Sequence, residues 1–144
     1  MRGVGAGVLV LVVTAAGCAS GLGFADTARI LREDGTTLSR IALTGKNARA
    51  TEDATGCPAG ERRAAYTITG DLGPDGAATS AAVTSALATE FQRMGYQEGE
   101  GPGARFGVNV SVLEKTSLGI TFTVTLRADH PNVEIAGRTG CLAP

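Results

Sequence analysis

Two apolar runs at period two constrain this chain more than any other feature. Phe106, Val108, Val110 and Val112 alternate with polar or small residues, and Leu118, Ile120, Phe122, Val124 and Leu126 repeat the pattern. Successive side chains of a strand point to opposite faces, so each run reads as a strand with one apolar face. Only Glu114 to Ser117 separates them, which makes them an antiparallel hairpin. Thr121, Thr123 and Thr125 fill the opposite face of the second run, as β-branched residues do on a solvated sheet surface.

Ala64, Tyr66 and Ile68 alternate with Ala65, Thr67 and Thr69, a strand with one buried face. Ala77 to Tyr96 reads as a helix: Val83, Leu87, Phe91 and Met94 form one stripe, while Thr84, Ser85, Thr89, Gln92 and Arg93 point away. Asp75 is a candidate N-cap and Gly95 a natural stop. Phe24 to Leu43 carries Phe24, Ala28, Leu31, Leu38 and Ala42 at helical spacing. The segment reads as a helix; Asp34-Gly35 in its middle leaves open a break at Gly35, or, as the alternative, two short strands joined by an Asp-Gly turn. Thr44 to Arg63 and Gln97 to Gly103 are polar and rich in turn formers, and read as loops. His130-Pro131-Asn132 is a further turn, after which Val133 and Ile135 begin a last strand.

The expectation is an α+β fold: an antiparallel sheet of about four strands, with two helices packed on one face and the other face solvated. Such a meander places every apolar stripe on one side.

The amino-terminal segment has a different character. One positive charge at Arg2 is followed by Val4 to Ala16, 13 apolar and small residues, and then Gly17-Cys18. That length suits the core of an export signal, whereas a spanning helix needs about 20 apolar residues. Ala15-Ala16-Gly17-Cys18 resembles the bacterial lipobox, in which the cysteine becomes the first residue of the mature protein. The resemblance implies a diacylglycerol thioether on Cys18, followed by acylation of the new amino group. Two fatty chains give stable anchoring where one gives only marginal binding. The alternative is an ordinary secretory signal with a small-residue cleavage site and a free cysteine nearby. The lipobox reading divides the chain into a signal peptide (1–17), a lipidated tether (18–23) and a single α+β domain (24–144).

Cys57 and Cys141 are then the remaining cysteines. In an exported protein such a pair reads as one disulfide. It closes a loop of about 85 residues, worth roughly 4.5 kcal/mol in the chain-entropy model. A metal or redox pair is the weaker alternative, because no Cys-x-x-Cys exists and His130 is the only histidine. If the first strand leads through its helix to a parallel second strand, the two cysteines start at opposite ends of the sheet. Bridging them then requires the segment from Cys57 to Arg63 to run back along it.

Several features coincide: the lipobox signal, the first helix, Thr55-Gly56-Cys57 before the first strand, the long helix, and the meander ending Arg138-Thr-Gly-Cys141. Together they resemble small actinobacterial lipoproteins of undefined function. The abundance of Gly and Ala, and of Arg over Lys, fits the GC-rich genomes of such organisms. The resemblance implies a lipid-anchored protein on the outer face of the cytoplasmic membrane, and brings no catalytic residues.

Composition narrows the function further. Without Arg2 the mature chain holds 12 Lys plus Arg against 14 Asp plus Glu, scattered along its length. No basic cluster marks a nucleic-acid or anionic-lipid surface, and no metal or cofactor motif is present. Gly101-Pro-Gly103-Ala-Arg-Phe-Gly107 has the wrong spacing for a dinucleotide fingerprint and enters a strand rather than a helix. His130 is the one neutral-pH base, and Asp129 beside it points to the opposite face. Asn109-Val110-Ser111 matches a glycosylation sequon, but it lies inside a strand of a bacterial protein. Arg62-Arg63 reads as the solvated start of a strand, with an acidic partner surface as the minor reading. The expectation is a non-catalytic binding module, held to the membrane through Cys18 and facing an envelope protein partner. The alternative is a carrier of a lipid or other apolar ligand between helices and sheet; the residues name neither partner, ligand nor oligomeric state.

Overall fold

The computed structural model describes residues 21–73, 79–105 and 108–144. Its elements run α1 (Phe24–Leu38), β1 (Thr44–Asp53), β2 (Arg63–Asp71), α2 (Ser80–Arg93), β3 (Gln97–Glu98), β4 (Gly103–Arg105), β5 (Val108–Lys115), β6 (Ile120–Leu126) and β7 (Val133–Thr139). The architecture is α+β with an antiparallel sheet, as expected, but the sheet is wider than the four strands read from the sequence. Six strands lie in the order β1-β2-β7-β6-β5-β3, and β4 pairs with β5 on the same edge as β3.

α1 buries Phe24, Thr27, Ala28, Leu31, Gly35 and Leu38, a stripe at spacings of three and four. The segment is a helix, as read, though it ends at Leu38 rather than Leu43 and is neither broken at Gly35 nor a pair of strands. The helix runs straight through Gly35, where a Cβ would overlap the Tyr66 ring of β2. The missing side chain is what lets helix and strand approach so closely. Lys46 Nζ donates to the carbonyls of Ser39 and Ile41, each at 2.8 Å, and so satisfies acceptors just beyond the helix end.

α2 buries Val83, Leu87 and Phe91, with Met94 packed against the core. Its cap is Thr79, whose Oγ1 accepts the Ala82 N–H at 3.1 Å. Asp75, the cap read from the sequence, lies outside the described residues. Gly95 ends the helix at φ +85°, and the Tyr96 N–H donates back to the Phe91 carbonyl. Phe91, Tyr96 and Phe122 meet as a triangle of rings, with centroids 5.4 to 5.5 Å apart.

Two segments read as loops are strands. β1 is exposed along its whole length, so it shows none of the alternation that marks a half-buried strand. β3 and β4 form a broken edge along β5.

One stripe is also reversed. β5 pairs with β6 so that Leu113 faces Phe122, while Val110 and Val112 face Thr125 and Thr123. The valines therefore lie on the outer, threonine-bearing face, and Asn109, Ser111, Leu113 and Lys115 lie on the helix side. Phe106 lies outside the described residues. A one-residue change of register exchanges the two faces of a strand, and the pairing to β6 decides it here.

Candidate functional site

The chain enters and leaves the fold at one end. The Phe24 N–H donates to the Ala143 carbonyl at 3.0 Å, and Arg62 and Leu142 exchange backbone hydrogen bonds of 3.0 and 2.9 Å. β7 finishes beside the start of β2, since Ala65 pairs with Arg138. Cys57 and Cys141 meet there in a disulfide with Cα atoms 5.5 Å apart. No segment has to run back along the sheet. β5 is antiparallel to β6, β6 to β7 and β7 to β2, so β2 and β5 are antiparallel and both cysteines reach the same end.

Arg62, just before β2, and Arg63, its first residue, diverge. Arg62 lies over the Phe24 ring, 5.5 Å from its centroid, and pairs with Glu52 at 3.6 Å. That pair is solvent-exposed, so its contribution to stability is small. Arg63 turns to the other side, where its Nη2 donates to the Thr55 carbonyl at 3.3 Å and approaches Cys141 Sγ at 3.4 Å. Its Nε is buried without a hydrogen-bond partner among the described residues.

His130 sits at the opposite end, in the turn between β6 and β7. Its Nδ1 lies 2.8 Å from Asp71 Oδ1, at the end of β2. The orienting carboxylate that Asp129 does not supply thus comes from 59 residues away. The His130 ring, and after it the Asn132 N–H, hold the Asp71 carboxyl below the usual carboxylate range. Asn132 extends the network: its Oδ1 accepts the Leu72 N–H and its Nδ2 donates to the Ala128 carbonyl at 2.9 Å. A nucleophile completes a hydrolytic set, and no Ser, Thr or Cys side chain is hydrogen-bonded to His130 among the described residues.

A third cluster lies under the helices. Asp34 of α1 accepts from Tyr96 Oη at 2.9 Å and from Lys115 Nζ at 3.0 Å. Its members stand 62 and 81 residues from Asp34 in sequence, and no local pattern connects them.

Between α2 and β5 lies a cavity of about 70 Å³, lined by Leu87, Phe91, Ser111, Leu113, Val124 and Leu126 among others. Among the described residues no group of three His, Cys, Asp or Glu side chains could hold a metal ion. No helix among them is long and apolar enough to cross a membrane. Cys18 lies outside the described residues. Comparison with protein-family models, with curated proteins and with solved structures finds no match for this chain.

Proposed function

We propose that this protein is a lipid-anchored lipoprotein of the cell envelope, a non-catalytic module that binds a protein partner on the outer face of the cytoplasmic membrane. One observation carries the reading beyond the lipobox. Phe24, where the fold begins, is hydrogen-bonded to Ala143 at the end that also holds the disulfide. Five residues separate Cys18 from Phe24, a tether of no more than about 20 Å at ~3.3 Å per residue. An anchor on Cys18 holds that end against the bilayer. The opposite end, with the His130 turn, then projects away from the lipid and is free to meet another protein.

The cavity under α2 supports the interaction module over the carrier. At about 70 Å³ it is far below the roughly 300 Å³ or more that small-molecule sites occupy. The larger cleft of about 330 Å³ between α1 and α2 is rimmed by Arg40, Glu90 and Arg93, a poor lining for an apolar ligand.

Intact mass of protein extracted from its native membrane tests the anchor. We expect a chain that starts at Cys18 and carries a diacylglycerol thioether, and a Cys18→Ser variant that leaves the membrane fraction. A bare thiol, or a different start site, overturns the proposal. Crosslinking in the native membrane tests the binding role: a stoichiometric crosslinked polypeptide supports it, and a stoichiometric co-purified lipid with no crosslinked protein overturns it in favour of the carrier.

A further inference from the structure

We propose that Arg63 and Arg138, with the Thr121 hydroxyl, form a binding site for a phosphate-type oxyanion beside the Cys57–Cys141 disulfide. The two arginines are 75 residues apart in sequence, which is why the scattered charges of the chain show no basic cluster. The sheet brings them together. Ala65 pairs with Arg138 and Arg138 with Thr121. Arg63 precedes Ala65 by two residues on the same strand face, so Arg63, Arg138 and Thr121 occupy one corner of the outer face.

A polar cleft of about 290 Å³ lies between them, floored by Gly119, Gly140 and Cys141 and lined by no carboxylate. Arg63 is half-buried, and its neighbours are a carbonyl and two sulfurs rather than an anion. Arg138 is exposed and makes no ion pair among the described residues. The carboxylate opposite Arg63 in the ladder belongs to Asp53. Its Oδ1 accepts the Thr55 N–H at 2.8 Å and makes no ion pair with Arg63. Two guanidinium groups so placed lack the counter-charge they bind best.

The donor set also selects among anions. A planar carboxylate is satisfied by one guanidinium fork, whereas a tetrahedral oxyanion uses donors from several directions. Two arginines and a hydroxyl at a corner supply the second arrangement. Such an anion is a free phosphate compound or the headgroup phosphate of a lipid, and both present the same atoms to the site. The inference does not depend on the anchor, because it rests on side chains of the folded part alone.

Titration calorimetry of inorganic phosphate into the full chain, held in neutral detergent, tests it. We expect saturable binding that Arg138→Gln weakens about tenfold or more, the loss of a charge-assisted hydrogen bond. Arg49→Gln, on β1 of the same face, is expected to leave the affinity unchanged. Arg63→Gln gives a second reading, provided its disulfide forms. Absence of saturable binding, an equal loss in Arg49→Gln, or equal affinity for acetate overturns the site. Vesicles containing phosphatidylglycerol separate the two sources for the Cys18→Ser chain: binding that inorganic phosphate displaces assigns the site to headgroups, and unchanged phosphate affinity in their presence assigns it to a free anion. Because that variant lacks the lipidated residue, the site and the anchor stand or fall separately.

Discussion

Lys115 Nζ lies 3.0 Å from Asp34 Oδ2, joining the first helix to the end of β5 across 81 residues of sequence. Both side chains are largely buried, at 15% and 14% exposure, and Lys115 Nζ also sits 4.6 Å from the centroid of the Tyr96 ring. A buried pair of this kind is held in place by what its loss leaves behind. Removing one partner strands a desolvated charge and costs about 3–5 kcal/mol.

Asp34→Ala or Lys115→Met is therefore expected to lower the unfolding free energy by about 3 kcal/mol, measured in urea. The double variant Asp34→Ala/Lys115→Met is expected to lose clearly less than the sum of the two single changes. Additive losses would show that the two groups do not interact.

Tyr96 gives the same cluster a signature on the alkaline side. Burial first, and the Asp34 charge second, push its phenol above the usual value of 10.0. The folded state then keeps a proton that the unfolded chain releases near pH 10. Stability from this group is complete below about pH 10 and declines as the pH rises further. Tyr96→Phe is expected to flatten that alkaline decline, at a cost near neutrality of about 1 kcal/mol for the lost hydrogen bond. An unaltered alkaline slope in the variant would count against the assignment.

Asp71 acts in the opposite direction. Its carboxyl is held below its usual range by the His130 ring and the Asn132 N–H, so it favours the fold above the unfolded carboxylate value. That contribution fades as the pH falls through the lower, folded value. Hydrogen exchange at the Asn132 amide is expected to lose protection on acidification, and Asp71→Asn to remove that dependence. Equal acid sensitivity in wild type and variant would dismiss the role.

Gly35 sets two effects against each other. Alanine in a helix interior is worth up to about 1 kcal/mol over glycine, yet a Cβ at this position overlaps the Tyr66 ring. Overpacking costs about 1–3 kcal/mol. Gly35→Ala is therefore expected to destabilise, and Gly35→Ala in a Tyr66→Ala background to do so far less. A gain in the melting temperature of the single variant would refute the close approach.

Part of the fold could be read directly from the residues. The stripes of α1 and α2, the alternation of β6, the turn at His130 and the pairing of Cys57 with Cys141 all have local or arithmetic signatures. β1 escaped because an edge strand exposed on both faces carries no apolar period, and its ten residues are mostly charged, small or polar. Gly35 read as a break because its purpose lies in Tyr66, a residue of another element. Neither the arginine corner nor the Asp34 cluster could be found in advance, since their members are distant in sequence and ordinary in their own surroundings.

By itself the sequence determined what neighbours along the chain decide: which segments coil, which alternate and where turns fall. Only the tertiary structure decided which face of β5 turns inward, how many strands join the sheet, and which charges meet. The physical reason is range. Periodicity and capping act over a few residues, whereas strand register, helix approach and ion pairing depend on atoms that become neighbours only when the sheet closes.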